Sequence, residues 1–192
     1  MFSGDTASTG DSVFNSNAGF SGNTVFSGDM VFNGDTVFRA NTVFSGNVVY
    51  ISDAAFSGNA VFCHNTVFSG DFVFCGDTVF SDDTVFGDDV VFSGKEECSA
   101  DVTFSSVTVF SGNVVFSGNT VFSGDMVFSG DVVFSGNTVF NASVVFNGDM
   151  VFSGETVFSG DVTFSSNTVF NGDTVFSDDV VFSNMATQWQ GG

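Results

Sequence analysis

The residues best suited to catalysis or metal binding are one histidine, His64, and three cysteines, Cys63, Cys75 and Cys98. Zinc prefers thiolate and imidazole ligands, and its structural sites are almost always four-coordinate. Cys63, His64 and Cys75 supply too few ligands for such a site. An odd number of cysteines also gives no disulfide framework. We therefore expect no zinc site, no catalytic residue and no enzymatic activity.

The acidic side chains are the other candidate ligands. The chain carries 22 Asp and Glu residues against two basic residues, Arg39 and Lys95, for a net charge of −20. Carboxylate oxygens are the ligands that Ca²⁺ prefers, and Asp125, Asp131 and Asp149 are the candidates for a loosely bound calcium ion. Asp is also typical of tight turns, which is the simpler interpretation. No other cofactor is expected, and the charge opposes binding to nucleic acid or to an anionic membrane.

These side chains belong to a repeat of six residues that runs through the whole chain. The 192 residues divide into 32 units without insertion or deletion. Phe fills the second position of 28 units, and the exceptions are Ser8, Tyr50, Cys98 and Gln188. A fixed short period indicates a solenoid. Because the period is unbroken, we expect a single domain over residues 1–192.

Each unit reads Val-Phe-Ser-Gly-Asp/Asn-Thr, which predicts a three-residue strand, Thr-Val-Phe, followed by a turn. Side chains alternate along a strand, so Phe and the Thr-type residue share one side and Val has the other. With Phe outside, nearly all of the 29 rings would be exposed to water, so Phe is predicted to point inward and Val outward. The predicted core ladder is Phe110, Phe116, Phe122, Phe128, Phe134 and Phe140.

The unit at residues 116–121, Phe-Ser-Gly-Asn-Thr-Val, resembles the hexapeptide repeat of left-handed β-helix proteins, with Phe in place of the usual aliphatic residue. The resemblance implies an all-β parallel solenoid of triangular cross-section. Acyltransferases of this class use a catalytic histidine, and the related carbonic anhydrases hold zinc with three. Since this chain has His64 alone, neither activity is carried over.

The length of a coil is predicted from the inward Thr-type position, because stacked residues tend to match. Between Thr108 and Val180, residues three units apart are identical in 6 of 10 comparisons, against 3 of 11 at two units and 1 of 9 at four. We therefore expect 18 residues per coil and ten to eleven coils. At roughly 4.8 Å per coil, the rod is on the order of 50 Å long.

Two segments depart from the repeat, residues 93–102 and the C-terminal residues 184–192. In the first, Glu96 falls on an inward position and Cys98 replaces Phe. An unpaired charge is costly in an apolar core. We therefore predict an irregular corner that bulges outward.

Open strand edges and Val faces favour a structural protein that assembles with itself into a filament or a sheet. Coils are expected to stack end to end through Phe2 and Trp189, while the faces pack laterally. The predicted lateral contacts are Val109, Val115, Val121, Val127, Val133 and Val139.

Two other functions stay open. Several antifreeze proteins use flat solenoid faces, usually with outward Thr, so ice binding is the first alternative. The phrase Phe-Ser-Gly-Asp/Asn resembles pentapeptide-repeat proteins, some of which occupy the DNA site of a topoisomerase, so an acidic DNA mimic is the second.

No apolar run reaches the ~18 residues of a transmembrane helix, and the chain does not start with a signal peptide. An extracellular or cell-surface location is favoured.

Overall fold

The computed structural model describes residues 1–183 and the strand Thr187–Trp189, which form a parallel β-solenoid. Its 31 described strands have three residues each, and each strand inside a sheet pairs in parallel with the strands three places before and after it along the chain. The described residues contain no helix, and hence none long and apolar enough to span a membrane. The predicted all-β parallel solenoid is confirmed.

Three sheets form the three sides of each coil. Sheet 1 contains β1 (Thr6–Ser8), β4 (Thr24–Phe26), β7 (Thr42–Phe44), β10 (Ala60–Phe62), β13 (Thr78–Phe80), β16 (Glu96–Cys98), β19 (Val114–Phe116), β22 (Val132–Phe134), β25 (Met150–Phe152), β28 (Thr168–Phe170) and β31 (Thr187–Trp189). Sheet 2 contains β2 (Ser12–Phe14), β5 (Met30–Phe32), β8 (Val48–Tyr50), β11 (Thr66–Phe68), β14 (Thr84–Phe86), β17 (Val102–Phe104), β20 (Thr120–Phe122), β23 (Thr138–Phe140), β26 (Thr156–Phe158) and β29 (Thr174–Phe176). Sheet 3 contains β3 (Ala18–Phe20), β6 (Thr36–Phe38), β9 (Ala54–Phe56), β12 (Phe72–Phe74), β15 (Val90–Phe92), β18 (Thr108–Phe110), β21 (Met126–Phe128), β24 (Val144–Phe146), β27 (Val162–Phe164) and β30 (Val180–Phe182).

The coil contains 18 residues, as predicted. Thr120 pairs with Thr138, and Phe122 pairs with Phe140. The last strand pair of sheet 1, β28 with β31, has a different spacing. Phe170 pairs with Trp189, 19 residues further on, rather than with Gln188. The chain has therefore gained one residue between β30 and β31, and the prediction of an array without insertion is wrong at this point.

The core consists of three columns of Phe rings, one behind each sheet. Within a column the rings stack: Phe122 lies 5.0 Å from Phe104 and 4.8 Å from Phe140, with planes 7° from parallel in both pairs. Between columns the contact is edge to face, as between Phe122 and Phe128, whose centroids are 5.7 Å apart at 87°. Both arrangements are favoured by the aromatic quadrupole. The six Phe residues of the predicted core ladder are all buried.

Many of the inward Thr residues close the turns that precede them, although the buried hydroxyls of Thr120, Thr168 and Thr174 have no partner among the described residues. The Thr36 hydroxyl donates to the carbonyl of Gly34 at 3.0 Å, and the Thr66 hydroxyl donates to that of His64 at 3.0 Å. A buried hydroxyl without a partner is costly. Where it forms, the local bond explains why Thr is accepted at a position where Val and Met also occur.

The turns of successive coils lie in close contact. A Cβ on Gly112 would approach the carbonyl oxygen of Gly94, one coil earlier, to 1.4 Å. In the first coil Gly4 has a φ of +98°, in the left-handed region that favours glycine. Tight turns at these positions let each strand end and the next side begin within three residues.

Candidate functional surface: the faces and corners of the solenoid

The outer surface of the solenoid has three faces, named faces 1, 2 and 3 after their sheets. It also has three corners formed by the turns: corner 1–2, corner 2–3 and corner 3–1. The middle residue of each strand points outward, and on face 2 this residue is Val in every strand except β17, which has Thr103. Exposure of these Val side chains reaches 60% at Val13 and 54% at Val175. Val therefore forms apolar rows along the faces, each interrupted at a few places by another residue type.

The six valines predicted as lateral contacts all point outward, two on each face. Val115 is exposed and the others are half-buried by their neighbours in the same row. They are Val115 and Val133 on face 1, Val121 and Val139 on face 2, and Val109 and Val127 on face 3. The structure places them on the surface, and their contact with another molecule stays a prediction.

The Asp and Asn residues at the corners bind the backbone of the next coil. At corner 3–1, Oδ1 of Asp131 accepts a hydrogen bond from the N–H of Asp149 at 3.0 Å. The same bond joins Asp29 to the N–H of Asn47 at corner 1–2, at 2.9 Å. Each bond gives a partner to a turn N–H that the β-ladder leaves free. Sequence reasoning missed this role. The sequence signal for this role is that Asp and Asn alternate at the fifth position of the repeat. Both side chains have an acceptor oxygen at the same distance from the backbone.

The three calcium candidates do not come together. Asp131 and Asp149 are successive residues at corner 3–1, whereas Asp125 lies at corner 2–3. One oxygen of each already accepts a backbone hydrogen bond. Within residues 1–183 and 187–189, no cluster of three or more His, Cys, Asp and Glu residues is arranged to hold a metal ion. The cysteines are likewise separated, since Cys63 lies at corner 1–2 beside His64 and Cys75 at corner 3–1.

The charges are divided unequally among the corners. Corner 3–1 carries both basic residues, Arg39 and Lys95, and only four acidic ones, Asp5, Asp77, Asp131 and Asp149. Corner 1–2 carries Asp11, Asp29, Asp82, Asp83, Asp101, Glu155 and Asp173. Corner 2–3 carries Asp35, Asp53, Asp71, Asp88, Asp89, Asp125, Asp161, Asp178 and Asp179. The sequence alone did not reveal this asymmetry, because it depends on which turns share a corner.

Glu96 points into the core and is 2% exposed. Its strand, Glu96–Cys98, pairs in register with Thr78–Phe80 and Val114–Phe116. The bulge predicted for residues 93–102 is therefore absent, and that prediction was wrong. Cys98 explains part of the difference, because a thiol in place of a Phe ring leaves room in the core.

The protonation of Glu96 explains the rest. Burial raises the pKa of this carboxyl to about 8; a hydrogen bond from the N–H of Gly94, at 3.2 Å, opposes the rise, and the charge of Asp77 adds to it. The side chain is therefore largely uncharged at neutral pH. Its Oε2 is buried without a hydrogen-bond partner among the described residues. Burial also raises the pKa of the Cys98 thiol, and the carboxylates of Glu96 and Glu97 add to the rise.

The ring column of sheet 3 ends in exposed rings. Phe2 stacks on Phe20 with the centroids 4.9 Å apart and remains 45% exposed. Phe182 stacks on Phe164 at 5.2 Å and remains 43% exposed. Of the predicted end contacts, Phe2 thus presents a ring face, while the side chain of Trp189 lies outside the described residues, as do residues 184–186 and 190–192.

Face 3 has two hollows where a small residue replaces Val. The first lies over Gly19, has a volume of about 300 Å³ and is bordered by Asp35 and Arg39. The second lies over Ala55, has a volume of about 310 Å³ and is bordered by Asp35, Asp53 and Asp71. Face 1 is interrupted instead by the outward carboxylate of Glu97, beside Lys95. The three faces are therefore not equivalent.

No protein-family model matches the chain, and no curated protein or solved structure gives a significant match. The likeness to hexapeptide-repeat proteins therefore consists of the fold. Three six-residue units make an 18-residue coil, and Phe replaces the aliphatic core residue in most of them.

Proposed function

We propose that this protein is a non-enzymatic structural protein that assembles with itself into a filament or a sheet. Lateral contacts come from the Val rows, and end-to-end contacts come from stacking of the coils. The observation that carries the proposal is the exposure of Val along all three faces of a rod whose core is already filled by Phe. Apolar patches beyond a few hundred Å² usually mark contact surfaces.

The size of a face is sufficient for a stable interface. One side of a coil has six residues, so at about 3.3 Å per residue a face is roughly 20 Å wide. Ten coils at about 4.8 Å give a length of roughly 48 Å, hence about 950 Å² for each face. Specific protein interfaces bury about 800 Å² on each partner. A single face thus provides the area that lateral association requires.

The ends supply a second kind of contact. The exposed rings of Phe2 and Phe182 belong to the same column, so a second copy can continue the stack at the spacing seen inside the rod. At this end β1 and β2 are paired on one side only, and unpaired strand edges favour further pairing. Lateral and end contacts together give a filament or a sheet, depending on which is stronger.

The proposal is tested by electron microscopy and sedimentation of the purified protein over a hundredfold range of concentration. We expect particles that grow in length or width as concentration rises. Because a net charge of −20 repels neighbouring copies, raising the salt concentration should promote assembly. A single species of one rod size at every concentration and ionic strength contradicts the proposal.

Val→Thr substitutions separate the lateral from the end contacts. Thr keeps the branched shape that suits a strand but places a hydroxyl on the face. Three substitutions are made on one face at a time, for example at Val121, Val139 and Val157 on face 2. At least one of the three sets should abolish lateral growth while leaving the rods folded. If no set has an effect, the Val faces are not the lateral contact.

Ice binding and DNA mimicry remain the alternatives. The flat, evenly spaced faces support ice binding, but the threonines of the repeat point inward, with Thr36 and Thr138 each 1% exposed. The acidic corners support a DNA mimic. Thermal hysteresis of dilute protein tests the first, and binding to gyrase tests the second. A positive result in either assay, with no assembly, would favour that alternative.

A further inference from the structure

We propose that two copies pack through face 3, side by side and parallel, related by a two-fold axis that runs along the rods. The inference rests on the proposed self-association and adds the face, the direction and the register of the pair. Its basis is the position of the two basic residues relative to the acidic corners.

Face 3 lies between the corner that carries both basic residues and the most acidic corner. Arg39 and Lys95 are exposed at corner 3–1, and within the described residues neither forms an ion pair. Asp35, Asp53 and Asp71 are exposed at corner 2–3, on the other border of the same face. Because corner 3–1 also carries four acidic residues, both borders are net acidic, at −2 and −9, but only one border has basic residues. In a second copy these two basic residues can each meet a carboxylate of the other border, so the face complements its own copy locally.

The two-fold axis brings opposite charges together. Rotation by 180° about an axis parallel to the rods exchanges the two borders, so corner 3–1 of each copy faces corner 2–3 of the other. An antiparallel pair instead places corner 2–3 against corner 2–3, with nine acidic residues on each side. Charge thus selects the parallel arrangement, and the same contact occurs twice, as in other isologous interfaces.

The charges also match along the rod. Arg39 and Lys95 lie three coils apart, and so do Asp35 and Asp89. Each distance is about 14 Å at roughly 4.8 Å per coil. Arg39 follows Asp35 by only four residues, and Lys95 follows Asp89 by only six. Along the rod, each basic residue therefore lies within half a coil of the Asp that it meets in the second copy. Rotation about an axis parallel to the rods leaves the height of every residue along the rod unchanged. Both pairs therefore form without sliding one copy along the other.

The hollow over Ala55 gives the Arg39 side chain of the second copy a place to lie. This hollow is bordered by Asp35 and Asp53, which occupy the coil levels just before and after that of Arg39. An arginine stem covers apolar surface while its guanidinium binds carboxylates. The side chain thus fills space that the missing Val leaves open.

The other two faces are less suited to a pair. Face 2 has the most outward Val residues, but its borders, corners 1–2 and 2–3, carry no Lys or Arg among the described residues. On face 1, the same two-fold operation brings Glu97 of one copy to the level of Glu97 of the other. Like charges at close range are unfavourable, more so when partly desolvated. Only face 3 avoids both problems.

The experiment exchanges the charges of the two borders. R39E/K95E replaces both basic residues of corner 3–1 by acidic ones, and we expect the half-association concentration to rise at least about tenfold. Combining R39E/K95E with D35K/D89K restores the pairs of basic and acidic residues across the interface, with the charges exchanged and the wild-type net charge of −20 retained. The quadruple variant should regain self-association, as measured by sedimentation velocity at fixed salt.

A matched control separates local from net charge. D35K/D89K and D29K/D83K change the net charge equally, and each removes hydrogen bonds made by the corner Asp residues. Only the first pair lies on a border of face 3, so D35K/D89K should associate more weakly than D29K/D83K. Thermal melts confirm that each variant is folded.

The outcomes distinguish this inference from the proposed function. If the wild type associates but R39E/K95E associates equally well, or the quadruple variant stays as weak as the double one, the face 3 pair is wrong while self-association stands. If the wild type remains a single rod at all concentrations, both proposals fail.

Discussion

Asp131 and Asp149 are one coil apart, and Oδ1 of the first accepts a hydrogen bond from the backbone N–H of the second at 3.0 Å. The bond makes the side chain at one corner a structural part of the next coil. D131A leaves this N–H without its protein partner and should lower the free energy of unfolding by about 0.5–1.5 kcal/mol. Amide hydrogen exchange should show faster exchange at Asp149.

D131N is the matched control for that change, because Asn keeps an acceptor oxygen at the same distance from the backbone. Exchange at Asp149 should stay close to that of the wild type. If D131N and D131A exchange equally fast, the carboxylate charge rather than the hydrogen bond is what holds the corner.

The buried carboxyl of Glu96 makes stability depend on pH. Burial raises its pKa from 4.5 to about 8, so between these values the folded chain keeps a proton that the unfolded chain releases. The free energy of unfolding should therefore fall as pH rises through this range, by about 5 kcal/mol at most, and become constant above it. Urea unfolding at a series of pH values measures the fall.

E96Q removes the titrating group while keeping its shape, so its difference from the wild type isolates this carboxyl from the rest of the acidic surface. E97Q is the control, since Glu97 points outward on the same strand and is exposed. The wild-type fall should persist in E97Q and disappear in E96Q. An equal slope in all three proteins means that Glu96 is not protonated in the folded state.

Restoring the repeat at β16 should stabilise the solenoid. In E96T/C98F, a Phe ring can stack between Phe80 and Phe116, which Cys98 separates in the wild type. Burial of one Phe ring stabilises by about 1.5–3 kcal/mol, and removal of the buried carboxyl adds to this. Thermal unfolding should occur at a higher temperature. A lower melting temperature indicates that the neighbouring coils have closed around Cys98 and leave no space for the ring.

The cost of losing a Phe should depend on its place in the column. Phe122 is fully buried between two stacked rings, so F122A should cost about 3–5 kcal/mol. Phe182 is 43% exposed at the end of its column, so F182A should cost much less. Chemical denaturation of the two variants measures both. Equal costs imply that the end coil is held as tightly as the centre.

Close contact between turns predicts a sharp difference between two glycines. In G112A the new Cβ meets the Gly94 carbonyl at 1.4 Å, so the turn must move. In G19A the nearest atom is a Met1 side-chain carbon at 3.8 Å, and nothing has to shift. G112A should lower the melting temperature by several degrees, and G19A should leave it unchanged or higher. Similar melting temperatures show that the turn adapts without cost.

The sequence was sufficient to predict the coil, because the pattern that defines a strand and a turn lies within six residues and recurs in nearly every unit. Phe122 and Val121 alternate in and out as any strand requires, and the recurrence of inward residues revealed the 18-residue stacking. The bulge at Glu96 was predicted by treating the carboxyl as charged. Its protonation and the space beside Cys98 depend on the neighbouring coils, which the sequence does not show directly.

The features of the surface were harder to predict for the same reason. The partner of Asp131 lies 18 residues away, so its hydrogen bond is visible only once the coils are stacked. That Arg39 and Lys95 share one corner is likewise visible only once the chain is wound into a three-sided coil. The shifted pairing of Trp189 with Phe170 was missed because the chain length is an exact multiple of six. Division into six-residue units therefore gives no sign of the extra residue.

Tyr50 is the only tyrosine in the chain, and it replaces a Phe in the column of sheet 2, stacked between Phe32 at 4.6 Å and Phe68 at 5.4 Å. Its hydroxyl is buried without a hydrogen-bond partner among the described residues, and burial raises the pKa of the phenol well above its ordinary value. The chain therefore carries its own optical reporter. In an alkaline titration, phenolate absorbance should appear only when the coils around residue 50 separate and water enters.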